Sequence, residues 1–496
     1  MLLWFVILYL MVSVGIGLWA STRVHSAKDF AVAGRSLPLP VVTATVFATW
    51  FGAEAVFGIP ATFLKDGLGG VVADPFGSSM CLILAGIFFS TQLYKLNILT
   101  LGDFYRMRYN RTVEIITTVC IVLSYLGWVA AQIKAMGLVF NVVTDGHVSQ
   151  DAGMILGAAI VLTYTTFGGM FSVAFLDFVQ MMVSMGGLLF IAWTVSGMTG
   201  GVAPVIAHAA QAGKLNFFPP AEPWAWVTFL GAWVTMMLGS IPQQDVFQRI
   251  TSARSARVAV LGSVLGASIY FCFTFVPMFI ATAATMVAPE KFARIIAQDS
   301  QLVLPSLVLQ SMPLFAQVLF FGAVLSAIMS CSSATLLAPS VTFAENVVKG
   351  FFPRMGDHAF LKVMRGCLVG FALMVLTFAL NSESSIFRMV ENAYKVTLAG
   401  AFVPLVFGAF WRRATTQGAL VATIGGLLSW ILIELMIGEA SPVPPQLIGL
   451  CVSAIGMLAG SLLPQWVGHP QPQPAGFLHR HAAHAHTAAM PHPHHD

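Results

Sequence analysis

The chain has 496 residues, 57% of them hydrophobic and only 9% charged, against roughly 25% charged in an ordinary soluble domain. No soluble fold hides that much apolar surface, so the composition excludes a soluble globular class and makes lipid the solvent for much of the chain. The net charge of +4 says little by itself, and no nucleic-acid partner is expected from it. The placement of the charges says more.

Apolar runs of about 17–25 residues can cross a bilayer as helices. In chain order they predict thirteen spans, near 2–20, 39–64, 70–92, 113–142, 152–168, 172–195, 224–242, 257–287, 313–338, 361–380, 386–410, 417–438 and 443–463. The first is read as a retained span, since no basic region precedes it as in a signal peptide. The six cysteines fall inside apolar runs without a CxxC, which reads as small buried side chains rather than disulfides or a zinc site.

The positive-inside rule gives an independent check. Loops on one side hold 17 Lys and Arg, including Arg35, Arg106, Arg249 and Arg365. The alternate loops hold five: Lys65, Lys214, Lys291, Arg294 and Arg388. A wrong span count would scramble this bias, so the N-terminus is expected outside and the C-terminus in the cytoplasm. The tail, 466–496, is low-complexity and His-rich; it is expected to be a disordered extension with no part in the main function.

Two spans carry helix breakers. The second, "VVTATVFATWFGAEAVFGIPATFL", gathers Gly52, Gly58 and Pro60 around Glu54. The seventh, "WVTFLGAWVTMMLGSIPQQDVFQRI", has Gly239, Ser240 and Pro242 near one end. Simple kinking is the plain reading, since Gly and Pro are common in membrane helices. Two breaks five spans apart instead fit a pair of inverted five-helix repeats with a ligand site at the interruptions. The expected layout is a first span and loop (1–37), one repeat (38–200), a second (201–411), two further spans (412–465) and the tail.

The ninth span is rich in hydroxyls: Ser326, Ser330, Ser332, Ser333 and Thr335. These either mend helix packing or, with carbonyls freed at a break and a carboxylate, make an oxygen cage for a hard cation. Asp177, in "FSVAFLDFVQMMVSMGGLLFIAW", is the candidate carboxylate. A charge in a membrane span needs a cavity or a partner. Bound sodium is one partner; a salt bridge to Lys134, or a shallow position that reaches water, are the others.

The stretch "YTTFGGMFSVAFLDFVQ", with Tyr164, Thr165, Gly168, Gly169, Asp177 and Gln180, resembles the signature of the sodium:solute symporter family. "DFAVAGRSLP", "GSIPQQDVFQRITSARSARVA" and "AIMSCSSATLLAPSVTFAENV" agree with it, and the likeness covers about residues 1–460. It implies an all-α membrane protein of thirteen helices with inverted repeats of the leucine-transporter type, lying in a plasma membrane (in a bacterium, the inner membrane). It also implies sodium–solute symport. Carried over residue by residue, the sodium site would use the carbonyls of Ala48, Phe51 and Ala327 and the hydroxyl of Ser330, with Asp177 close by. The family's next hydroxyl ligand is Cys331 here, and a thiol suits sodium poorly. Ser332 and Ser333 are the alternative hydroxyls, and a proton is the alternative coupling ion.

"TATVFATWFG" and "MMLGSIPQQDVFQR" look most like the high-affinity choline transporter branch. The resemblance implies a substrate pocket at Trp50, Gly52, Glu54, Trp128, Gln243 and Gln244. Gln243 and Glu391 stand where that branch has Trp, so the expected solute widens to choline or betaine, an amino acid or a short carboxylate. The expected activity is import by alternating access, with sodium as coupling ion and no cofactor. An enzyme is not expected: the chain has no P-loop, and "GAEAVFG" offers no nucleophile–base pair. A proton-coupled carrier of the same fold is the first rival. A solute-binding membrane sensor is the second, though such proteins usually carry a cytoplasmic signalling domain.

Overall fold

The computed structural model describes residues 2–438 and 441–468; most of the His-rich tail lies outside the described residues. Among them, ten helices are long and apolar enough to cross a membrane. They are α1 (Leu2–Ala20), α4 (Leu68–Lys95), α5 (Arg111–Val143), α6 (Gln150–Met198), α9 (Ala256–Val287), α10 (Leu314–Phe343), α11 (Asp357–Asn381), α12 (Ile386–Phe410), α13 (Thr416–Met436) and α14 (Pro445–Leu462). Two bent pairs add up to two more crossings. The pair α2 (Leu39–Trp50) and α3 (Glu54–Asp66) bends by 57°, and α7 (Pro223–Gly239) and α8 (Gln244–Ser252) by 43°. Both bends fall at the breakers read from the sequence.

The expected thirteen spans therefore meet ten helices and two bent pairs among the described residues. The difference lies in α6, whose 49 residues would run about 74 Å at ~1.5 Å per residue, far more than a bilayer core of about 30 Å. Gly169 interrupts it with φ 50° and ψ −142°, between the fifth and sixth spans of the sequence reading. Only glycine takes that backbone shape cheaply. A Cβ there would also lie 2.6 Å from the Phe30 carbonyl oxygen. Gly169→Ala is expected to cost about 2–4 kcal/mol from backbone strain plus overpacking, read as a lower thermal midpoint in detergent. Gly186→Ala, where a Cβ meets nothing within 4 Å, is the control.

Helix starts follow local chemistry. Asn110, Ser149 and Ser255 cap α5, α6 and α9 by accepting from backbone N–H groups three residues on, and Pro opens α7 and α14. These caps satisfy donors that the first helical turn leaves free. At the centre, α10 packs on α5 and α6, α2 packs on α6 and α9, and α12 packs on α5. The breaks in α2–α3 and α7–α8 thus lie inside the bundle, walled by continuous helices.

Candidate functional site

The α2 helix stops at Trp50, and the last carbonyls before a helix end lack intrahelical donors. Phe51 still donates to the Phe47 carbonyl at 2.8 Å. The carbonyl of Ala48 turns outward and accepts from the Ser330 hydroxyl of α10 at 3.2 Å. Ser330 also bonds one oxygen of Asp177, on α6, and Thr45 of α2 bonds the other. Three helices therefore bring a carboxylate, two hydroxyls and a carbonyl to one point, all with 3% exposure or less. Thr45 gives its single proton to Asp177, Ser330 shares its one proton between Asp177 and the Ala48 carbonyl, and both hydroxyls keep lone pairs. The donor set is oxygen and suits a hard monovalent or divalent cation.

The side-by-side alternatives from the sequence do not meet Asp177. Lys134 reaches the carbonyls of Ser382 and Ser384 at 3.1 and 2.8 Å. Ser332 and Ser333 bond back to Ile328 and Ser330 of their own helix. Asp177 is fully buried, so the shallow, water-reaching position is not found. Ala327 is buried one turn before Ser330. Cys331 packs over Gly52: a Cβ on Gly52 would lie 2.7 Å from its sulfur and 2.6 Å from Gln132 Oε1. Thr45 was missed in the sequence. Its signal, a hydroxyl one turn before Ala48, is common in membrane helices.

Beyond the break lies an aromatic and acidic cluster. Trp50 and Trp128 have ring centroids 5.2 Å apart, and Tyr394 of α12 lies 6.1 Å from Trp50 with its ring plane only 8° away. Tyr125 stacks on Trp128 at 5.9 Å. Glu54, just past the break, accepts from Trp128 Nε1 at 3.2 Å and from Gln132 Nε2 at 2.6 Å. Gln132 is oriented in turn by the Ala53 N–H, which donates to its Oε1 at 2.8 Å. Asp74 of α4 accepts from Ser78 and from Tyr270 at 2.6 Å, and Asp245 of α8 accepts from Tyr125. Asp74 Oδ2, Asp245 Oδ2 and the Tyr394 hydroxyl are buried without a hydrogen-bond partner among the described residues. Around the breaks, four buried carboxylates (Glu54, Asp74, Asp177 and Asp245) stand with one buried guanidinium, Arg249. That excess of negative charge, in a place water does not reach, calls for cations or protons.

Gln243 joins this region through Ser124, whose hydroxyl accepts from its Nε2 at 2.8 Å, and through Thr397 at 3.3 Å. Gln244 does not. Its Oε1 accepts from the Leu101 N–H at 2.8 Å, away from the aromatic rings. The reason is local: α8 starts at Gln244, and neighbouring residues of a helix do not share a face. The sequence reading also put Arg249 in a loop. The structure buries it at 2% exposure.

A cavity of about 470 Å³ opens beside α3 and the start of α12, lined by Gly58, Thr62, Lys65, Asp299, Arg388 and Glu391. Its inner end, at Gly58, is one helical turn from Glu54. The opposite, arginine-rich side is tied shut. Arg35 donates to Asn97 Oδ1 at 2.6 Å and to the carbonyls of Tyr94 and Thr251 at 3.0 and 3.2 Å. Leu37 and Arg254 add backbone bonds across the same seam, and Gln248 donates to the Ala31 carbonyl at 3.1 Å.

A high-affinity choline transporter of Drosophila melanogaster is 26% identical over 450 residues, covering 88% of this chain and 70% of its own. The human high affinity choline transporter is also 26% identical, at 85% and 74% coverage. A sodium/glucose cotransporter of Vibrio parahaemolyticus is 24% identical, at 86% and 84%. Among solved structures, a Na+-coupled sialic acid symporter in a substrate-bound outward-open state superposes with a TM-score of 0.80 at 18% identity, covering 93% of this chain and 97% of that one. Mhp1, a nucleobase-cation-symport-1 family transporter, gives 0.58 at 15% identity, with 87% and 93% coverage. These likenesses show a shared fold with broken-helix transporters. The model of the sodium:solute symporter family matches residues 30–426, and with it this chain belongs to that family of membrane transporters, which couple solute movement to sodium.

Proposed function

We propose that this protein imports a small organic cation by sodium symport. One observation carries the coupling half of the reading: oxygens from α2, α6 and α10 converge on Asp177. Sodium sits among Asp177, Ser330, Thr45 and the carbonyls of Ala48, Phe51 and Ala327, with Cys331 beside it. The carboxylate offsets the ion's charge, and the ion makes a buried carboxylate tolerable. Because Ala48 and Phe51 end α2, the ion also fixes the shape of the break, one turn from Glu54.

The solute half rests on Trp50, Trp128 and Tyr394 beside Glu54, Asp74 and Asp245. Aromatic faces attract cations, and unpaired carboxylates reject anions. The choline named for two relatives is a cation; the glucose and sialic acid named for others are not. This cluster favours the former class over short carboxylates, and it admits amines and betaines. The charge bias, 16 against five once the buried Arg249 is taken out of the loops, supports the cavity side outside and the arginine-rich side in the cytoplasm. The repeats 38–200 and 201–411 then rock about the two breaks. Opening the seam at Arg35 and Gln248 releases sodium inward, helped by about 2.3 kcal/mol per charge per 100 mV.

Two measurements test this. A thermal-shift screen of amines, quaternary ammonium compounds and amino acids, run in Na+ and again in K+, finds a solute; uptake of that solute into proteoliposomes at fixed pH follows the Na+ gradient. Uptake that is equal without Na+ and instead follows an imposed pH gradient assigns the coupling to protons, a reading that the thiol at Cys331 favours. Ser330→Ala removes a ligand and a hydrogen bond to a charged group. At about 1.5 kcal/mol for such a bond, the Na+ concentration for half-maximal uptake should rise about tenfold; no change would remove Ser330 from the site.

A further inference from the structure

Arg249 is unusual among the buried charges. It lies on α8, beyond the break at Gly239–Gln243, with 2% exposure. Only Nη1 is engaged, 3.3 Å from the Asp245 carbonyl oxygen and 3.5 Å from Gln248 Oε1. Nε and Nη2 have no hydrogen-bond partner among the described residues. A guanidinium offers five donors in a rigid fork, and burying it with most of the fork unmet is costly unless another arrangement uses them.

That arrangement is close by. The α8 helix packs on α2 and α10, the helices that bring Thr45, Ala48 and Ser330 to Asp177. Asp245 stands one turn before Arg249 on α8, and its Oδ2 is itself unpartnered among the described residues. The guanidinium is thus held only by weak backbone and amide contacts, on the short inner half of a bent span packed against the helices that hold Asp177.

We propose that Arg249 is a built-in substitute for the transported sodium: it swings to Asp177 when the ion leaves toward the cytoplasm and withdraws when the next ion binds. This rests on the sodium-site reading above. The step is needed because a carrier that has unloaded must return empty, and a bare carboxylate in a dry bundle resists that return. A residue that competes with sodium for Asp177 must also weaken sodium binding while it is present, since two ligands that exclude each other are reciprocally coupled.

The sign of that effect makes the test. Equilibrium binding of radiolabelled Na+ is measured on the purified full chain in detergent, without solute, for wild type, Arg249→Gln, Arg249→Met and Arg249→Lys. The two neutral variants are expected to bind Na+ at least fivefold more tightly, and the lysine variant within about twofold of wild type. Unchanged or weaker Na+ binding in either neutral variant that keeps the wild-type melting profile overturns the proposal, because a merely structural arginine would leave a damaged site behind. Two neutral variants of different polarity are used so that a folding defect in one leaves the other to decide. Wild type that binds no Na+ saturably sinks the sodium-site reading instead, and the two failures are told apart by that lane alone.

Discussion

Asp177→Asn is expected to weaken Na+ binding roughly 100- to 1,000-fold and to make the thermal midpoint indifferent to sodium. The affinity loss follows from charge. A carboxylate about 4 Å from a cation at an effective dielectric near 20 contributes about 4 kcal/mol, and each ~1.4 kcal/mol is tenfold in affinity. The midpoint follows from linkage: a ligand that binds the folded protein alone stabilises it. Asp177 is fully buried, and its partners are the hydroxyls of Thr45 and Ser330, which can turn to donate or accept for an amide as well. Sodium should therefore raise the thermal midpoint of wild type, by the equivalent of about 1.4 kcal/mol at ten times its Kd, and leave that of Asp177→Asn flat. A midpoint that still rises with sodium in Asp177→Asn as it does in wild type would remove Asp177 from the ion site.

The sequence made some of this legible for stated reasons. Gly and Pro near Glu54 and near Gln243 mark breaks because neither residue supports a regular helix, and both bends appear where those residues lie. Asp177 stood out because a lone carboxylate in a 23-residue apolar run must have a purpose. Gly169 was seen only as part of a signature; its role as the corner between two crossings needed its φ of 50°. Arg249 was misread because charge counting assigns any arginine in a polar stretch to a loop, and "IPQQDVFQR" is polar for another reason: it lines the interior. Asp74 and Asp245 went unremarked although Asp74 falls inside the span expected at 70–92 and Asp245 just past the one at 224–242, and an intramembrane carboxylate is a functional candidate on its own. Tyr394 gave no signal at all. Its partners Trp50 and Trp128 lie far away in the chain, and the packing of α12 on α5 is what brings it to Trp128, 5.7 Å between ring centroids.

Glu54→Gln is the change that decides what kind of solute the protein carries. The wild-type carboxyl is held by Trp128 and Gln132, both donors, so it keeps its acceptor oxygens in a buried place, and a cationic solute beside it favours the charged form. Those donors fix its position, and their own aromatic and amide bodies wall the cluster. Glutamine has nearly the same shape and keeps one acceptor, so the packing survives. The charge does not. For a cationic solute, losing a counter-charge at about 4–6 Å with an effective dielectric near 20 removes about 3–4 kcal/mol, and the solute's half-saturating concentration should rise about 100-fold or more. Sodium binding measured without solute should move less than threefold, since Glu54 is not among the oxygens on Asp177. A neutral or anionic solute predicts the opposite for this variant, unchanged or tighter binding, because the repulsive charge has gone. If uptake kinetics show that second pattern, the aromatic rings at Trp50, Trp128 and Tyr394 are stacking against an uncharged solute, and the negative charges of Glu54 and Asp74 are neutralised by protons.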